Sequence, residues 1–366
     1  MTQTEQSSFL AIIRSGIGQS VVSLSEKFDW NAIEALAKRH ALLGVLVDGI
    51  QKLPQNYRPP QLMWLRWIGE VQLEEERYNR QWLASCQLAQ LFHQNQIRTC
   101  VLKGIMVSEC YPKPEHRVSA DFDCFLVNEN QNENERDVWE KGNQLIEAAG
   151  CEVEKVFYKN STFHLTGLTV ENHRYMVPFR GNKTLRILER FLQSELKEGS
   201  RSSMGSSCSR FEGTELWRPP VMVSALFLIE HAYSHFLHEG LTWRHVLDWV
   251  MFSRKHKDEI DWKEFDSRID EFGFRKFYDT FWRLGQYLFG EIQDSSFTFQ
   301  EKKMLADVWA QLDLHESVRG FKGKLALVGN TWRARWKYHY FTDITWFTAL
   351  WNQVKGFVFE KNPKLE

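Results

Sequence analysis

The sequence predicts an α+β protein, a small mixed sheet flanked by an N-terminal and a C-terminal helical region. Three observations carry this reading. Helical periodicity runs from about Trp30 to Gln94, short β-type runs cluster between Ile97 and His173, and from Pro220 onward the chain reads as five or six amphipathic helices. In order, Asp29 stands as an N-cap before Trp30, Ile33, Leu36 and Ala37, which line one side of a first helix. Pro59 and Pro60 precede Gln61 to Gln94, which has no internal proline and many Glu, Gln, Arg and Leu: one long helix. IRTCVLKG is a short strand run ending at a glycine, and residues 105–110 form a helix closed by the Pro112 and Pro114 turn. VSADFDCFLV is a second strand, with apolar and polar residues alternating. A polar, acidic connector over 128–135 leads to a helix over 138–149, with Gly150 as its C-cap signal. Strands are expected over 152–158, 162–166 and 168–173, then a helix over 183–196. Residues 199–213, GSRSSMGSSCSRFEG, read as a mobile loop or linker. The expected organisation is a helical region (1–95), a sheet-bearing core (96–198), a Ser/Gly-rich linker (199–214) and a helical domain (215–366), with no internal repeat.

Composition narrows the function. The 366 residues contain 43% hydrophobic and 25% charged residues, which excludes a disordered chain, a collagen-like chain and a small disulfide scaffold. With 46 Lys and Arg against 47 Asp and Glu, the net charge of −1 gives no general attraction for nucleic acid or anionic membrane. Phosphate binding must therefore come from a local site. Fifteen Trp and 26 Phe imply aromatic-rich helix packing. Cys86, Cys100, Cys110, Cys124, Cys151 and Cys208 form no CxxC pair and read as reduced thiols of a cytoplasmic protein. The opening MTQTEQSSFLAIIRSG lacks the pattern of a signal peptide. The longest apolar run, residues 221–229, is broken by Ser224 and falls short of the ~20 residues of a membrane helix.

Chemistry concentrates in one segment. Asp121 and Asp123 sit at i and i+2 of an otherwise apolar strand, so both carboxylates share a face. Two such anions repel unless a cation lies between them, and a divalent metal with oxygen ligands, Mg²⁺ or Mn²⁺, suits the pair. The alternative is an exposed face with two solvated acids. Glu171 is a third candidate, joining them if its strand is a neighbour, which would suffice for a two-metal phosphoryl-transfer site. Upstream, the Lys103-Gly104 turn offers a point charge and a backbone N–H, while Arg117 and Ser119 add a second cation and a hydroxyl just before Asp121.

The run VLKGIMVSECYPKPEHRVSADFDCFLV resembles the signature of the nucleotidyltransferase fold, the superfamily of DNA polymerase beta and the aminoglycoside nucleotidyltransferases. More narrowly it looks like the bacterial uncharacterised nucleotidyltransferase family. That family pairs an LKG turn, a Tyr-Pro, an Arg, a D-x-D strand and an acid-x-His strand, matched here by Leu102-Lys103-Gly104, Tyr111-Pro112, Arg117, Asp121-Phe122-Asp123 and Glu171-Asn172-His173. The likeness is sharp over 97–127, looser to 180, and returns in EHAYSHFLHEGLTWRHVLDWVMF. In the superfamily at large the turn is usually Gly-Ser or Gly-Gly and nearer the first Asp; here 16 residues separate Gly104 from Asp121.

The resemblance implies transfer of an NMP from a metal-bound NTP to an acceptor hydroxyl, with pyrophosphate leaving. Asp121, Asp123 and Glu171 would be the metal-binding and catalytic residues, and Lys103, Gly104, Ser119 and Arg117 would hold the triphosphate. The acceptor, whether a small molecule, protein or RNA, is not legible. A non-catalytic scaffold keeping the fold, or a toxin–antitoxin or defence component, are the alternatives.

His231, His235 and His238 fall at i, i+4 and i+7 of one helix. Three ligands spread over two turns rarely reach one ion, so packed or hydrogen-bonded histidines are expected rather than zinc, with a place lining the substrate cleft as the next reading. His173, His231, His235 and Arg244 are the candidate cleft residues, with Arg244 and Asp248 forming either part of the cleft or an i, i+4 pair along the helix. The basic, aromatic run NTWRARWKYHYF is expected to pack as an amphipathic helix.

Overall fold

The computed structural model describes residues 2–19, 24, 28–129, 135–155, 158–201, 208–310, 332, 334–359 and 365. Seven strands form one mixed sheet: β1 (Ile97–Val101), β2 (Asp121–Asn128), β3 (Val153–Glu154), β4 (Asn160–Leu165), β5 (Leu168–His173), β6 (Ser209–Arg210) and β7 (Leu216–Arg218), in the order β3-β4-β5-β2-β1-β7-β6. β2 pairs antiparallel with β1 and parallel with β5, so the longest strand lies at the centre of the sheet. Phe122 to Val127 are all buried, as befits a strand covered on both faces.

Two differences from the sequence reading concern the sheet. The first of the three expected C-terminal strands shrinks to Val153–Glu154, and residues 156–157 of that expectation lie outside the described residues. Part of the Ser/Gly-rich stretch is regular: Ser209–Arg210 pairs with Arg218 and Trp217, and β7 in turn pairs parallel with Thr99 and Cys100 of β1. Backbone pairing to β7 overrides a loop-like composition at Ser209–Arg210. Residues 202–207 of the same stretch lie outside the described residues.

The helices are α1 (Gln3–Gly16), α2 (Trp30–Arg39), α3 (Leu43–Gln51), α4 (Gln61–Gln94), α5 (Ile105–Ser108), α6 (Glu135–Ala148), α7 (Lys183–Arg201), α8 (Val221–His238), α9 (Trp243–Lys255), α10 (Trp262–Glu271), α11 (Arg275–Leu288), α12 (Phe299–Ala310), α13 (Arg335–Phe341) and α14 (Trp346–Phe359). Asp29 caps α2 through Asn31 N, and α4 runs the full expected length. Beyond the sequence reading, α1 and α3 add a crossing so tight that a Cβ on Gly49 would lie 2.1 Å from the Ile12 carbonyl oxygen, and one on Gly16 2.1 Å from that of Val45. In α13, Lys337, Tyr338 and Phe341 are buried, in line with helix packing for the basic aromatic run; residues 330, 331 and 333 of that run lie outside the described set.

One sheet face is covered by α6, where Gly142 lets Leu126 of β2 approach closely enough that a Cβ would meet it at 2.2 Å. The opposite face, carrying Asp121 and Asp123, faces α8 and α9, whose side chains close a cavity over it. Aromatic contacts tie α1 to α12 and α12 to α9: Phe9 meets Trp309 at 6.2 Å and Trp309 meets Trp243 at 5.0 Å. Trp67, Trp243 and Trp249 are fully buried. The six cysteines are free, four of them buried. No helix among the described residues is long and apolar enough to cross a membrane.

Candidate active site

The site begins at the turn between β1 and α5. Gly104 has φ +65°, a conformation that L side chains avoid, and a Cβ there would lie 2.9 Å from Ser119 Oγ. The glycine thus lets Ser119 sit on the turn, and Ser119 Oγ donates to the Asp121 carbonyl at 3.0 Å. Leu102 N donates to Asp123 O at 3.0 Å, locking the turn alongside β2. Arg77 of α4 donates to Ser119 O at 2.6 Å and holds the segment from behind. α5 is a single turn, so its dipole adds little; Gly104 matters through its backbone shape.

Alternation puts Asp121 and Asp123 on one face of β2, and the parallel register sets Glu171 beside Asp123 and Thr169 beside Asp121. Three acids from two strands therefore converge on one cavity of about 540 Å³, a size suited to a small-molecule ligand. Asp123 is completely buried, while the Asp121 and Glu171 side chains are about a third exposed (30% and 32%).

Lys103 Nζ lies 3.3 Å from Asp123 Oδ1 and 3.9 Å from Asp121 Oδ2, bridging the pair. Burial alone would push the Lys103 ammonium down, but Asp123, Asp121 and Glu171 outweigh it and hold its pKa above the usual lysine value. Burial and the neighbouring Asp123 charge raise Asp121. Asp123 moves the other way: burial opposes ionisation, yet Lys103 and the hydrogen bond from His173 keep its carboxyl well below the ordinary range. His173 Nε2 lies 3.0 Å from Asp123 Oδ1 and 3.4 Å from Glu171 Oε2. The ligating atoms of Asp123, Glu171 and His173 lie within 4.8 Å of one another.

The oxygen-rich donor set fits a hard divalent cation. Asp123 Oδ2 is buried without a hydrogen-bond partner, and the carboxylates carry more negative charge than Lys103 alone cancels. Asp121, Asp123 and Glu171 are the residues that could hold such an ion.

Arg117 also lines the cavity, but its Nε and Nη2 both donate to Asp248 of α9, at 3.1 and 2.7 Å. Asp248 further accepts from Tyr111 Oη at 2.7 Å, so a fully enclosed triad ties the Tyr-Pro turn, the segment before β2 and α9 together. The i, i+4 pairing of Arg244 with Asp248 does not form, because Asp248 is spent on Arg117. Arg244 Nη1 instead donates to Val118 O at 3.2 Å, and its buried Nε has no partner. His231 and His235 face the cavity; His238 lines a different one, and His245 of α9 takes its place.

Sequence reasoning missed three ionisable lining residues: Lys159, Glu230 and His245. Lys159 sits before β4 with no motif around it. Glu230 and His245 each adjoin a residue that was singled out, but only the α8–α9 packing turns them inward. Burial raises the Glu230 carboxyl to about 7, moderated by the Lys159 charge.

Comparison with known proteins gives one match. A family profile described as uncharacterised nucleotidyltransferase matches residues 26–290, a span holding every residue of this cavity. No curated protein and no solved structure matches the chain.

Proposed function

The chain belongs to the uncharacterised nucleotidyltransferase family, and from that premise we propose that it moves an NMP from an NTP to an acceptor hydroxyl in a reaction dependent on Mg²⁺ or Mn²⁺. The observation that carries the reading is the β2–β5 register, which sets Glu171 beside the Asp121–Asp123 face at the floor of the cavity. Asp121 and Asp123 would hold the ion, with Glu171 as the third carboxylate. Bound there, a divalent ion supplies neutralisation of the phosphate charge that builds during transfer.

The chain's own groups do the rest. Lys103, the Gly104 amide, Ser119 and the Arg117 guanidinium orient the triphosphate, with Arg117 fixed in direction by Asp248. The acceptor oxygen forms its bond to the α-phosphorus as the bond to the β-phosphate oxygen breaks, and pyrophosphate leaves with that electron pair. Glu171 takes the acceptor's proton, and His173, hydrogen-bonded to Asp123 and close to Glu171, keeps both carboxylates in place. Positioning and charge neutralisation supply most of the rate enhancement.

The test is transfer of label from α-labelled NTP in the presence of Mg²⁺ or Mn²⁺. Asp121→Ala and Asp123→Ala are each expected to abolish it, and full activity in either variant would remove the metal role. A second reading, a non-catalytic protein on the same fold, is favoured by one observation: the Lys103 ammonium already bridges both aspartates. Calorimetry separates the two readings, since a scaffold closed by Lys103 shows no metal-dependent affinity for NTP.

A further inference from the structure

The wall that α9 contributes to the cavity carries hydrogen-bond donors with nothing to receive them. Arg244 and His245 are consecutive residues of its first turn, and both line the cavity. The Thr242 backbone N–H donates to His245 Nδ1 at 3.1 Å, so the lone pair of that nitrogen is spent on the capping box of the helix. Burial and the neighbouring His235 and Arg244 charges hold the His245 pKa well below the ordinary histidine value, which leaves the ring neutral. Its one proton therefore sits on Nε2. That N–H, on a residue 8% exposed, is buried without an acceptor.

Arg244 repeats the pattern with a full charge. Asp248, four residues on, is taken by Arg117 and Tyr111. Among the described residues Arg244 keeps one hydrogen bond, from Nη1 to the Val118 carbonyl at 3.2 Å, and no carboxylate lies within ion-pair distance of it. Its Nε is buried without a partner. Burial and the adjacent Arg117 charge lower its pKa, as expected of a guanidinium short of a counter-charge. Unpaired buried donors are destabilising by themselves, and an anionic oxygen satisfies both the charge and the hydrogen bonds. A metal ion is excluded at this wall, because neither side chain has a lone pair to offer.

We infer that Arg244 and His245 form a second oxyanion subsite in the cavity, apart from the Lys103-Gly104 turn, and that it takes a phosphate group. The choice of phosphate among oxyanions rests on the nucleotidyl-transfer reading of the cavity. The bond to Val118 O fixes the guanidinium beside the segment that carries Ser119, so the subsite continues the phosphate-binding surface from the turn onto α9. Two sources supply such a group: the outer phosphates of the NTP, or a phosphate carried by the acceptor.

The experiment is calorimetry on the full chain in Mg²⁺ with three probes: a nonhydrolysable NTP, the matching NMP, and inorganic phosphate added to chain already saturated with the NTP analogue. Arg244→Met keeps an apolar stem and removes the charge and the donors. It is expected to weaken one probe by about 10–100-fold. Loss for the NTP analogue with NMP unchanged assigns the outer phosphates, and loss for inorganic phosphate with both nucleotides unchanged assigns the acceptor. His245→Leu is expected to weaken the same probe. Circular dichroism verifies folding, and Arg244→Met, at a partly exposed position, decides the matter if His245→Leu fails to fold. Unchanged affinity for every probe in folded Arg244→Met overturns the subsite. Equal weakening of NMP and NTP analogue also overturns it, since Arg244 then acts only by holding Val118. Label transfer by a chain whose phosphate affinities ignore Arg244 removes the subsite and leaves the transfer reading standing; Arg244-dependent phosphate binding without transfer does the reverse.

Discussion

Gly104 illustrates how much a single residue decides. Its φ of +65° and the 2.9 Å approach of Ser119 Oγ leave no room for a side chain. Gly104→Ala is expected to lower stability by about 1–3 kcal/mol, read by urea unfolding, and to depress nucleotidyl transfer further by pushing Ser119 off the turn. Glu230 makes a different prediction. Its carboxyl is raised by burial to about 7 in the folded chain, so between about pH 4.5 and 7 the native state keeps a proton that the unfolded state has released. Stability therefore falls as pH rises through this window, by up to about 3 kcal/mol from this group. Glu230→Gln should gain stability relative to wild type on going from about pH 5 to about pH 8. A constant difference across that range would show that Glu230 titrates normally. Glu189, also raised to about 7 by burial, leaves a residual slope in the variant.

At the scale of elements, the buried Arg117–Asp248 pair with Tyr111 fastens α9 to the loop before β2. Asp248→Ala strands a guanidinium in the interior and is expected to cost about 3–5 kcal/mol. The double variant Arg117→Met with Asp248→Leu should be distinctly milder, and denaturant unfolding of the two tells them apart. The crossing of α1 and α3 makes an independent case: Gly49→Val places a branched side chain where a Cβ alone would be 2.1 Å from Ile12 O, and unfolding before purification is the expected outcome. These elements also mark what was legible. The face shared by Asp121 and Asp123 followed from strand alternation, and α4 from its composition and the prolines ahead of it, because both signals are local. Glu171 was visible as a strand residue, but its place beside Asp123 depends on a parallel pairing that no local pattern encodes. β6 and β7 escaped notice because two and three residues carry no periodicity and their stability is borrowed from β1. The histidine group was half legible: the i, i+4 pair reads directly from α8, whereas the third imidazole belongs to the next helix.

For the whole molecule, a near-neutral chain concentrates its unbalanced charge in one enclosed place, where three carboxylates meet Lys103 and Arg117. Asp123, Arg244 and His245, each with a buried side-chain atom that has no hydrogen-bond partner, line that same cavity. Helices from both ends of the chain support it: α4 holds Ser119, and α8 and α9 roof the carboxylates. The most direct test of the central claim is a crystal structure with Mn²⁺ and a nonhydrolysable NTP. Manganese anomalous density touching Asp121 and Asp123, with the triphosphate on it and the Lys103 ammonium drawn away from Asp123 toward the phosphates, is the predicted result. A nucleotide bound elsewhere, with Lys103 still bridging the two aspartates and no manganese between them, would contradict it.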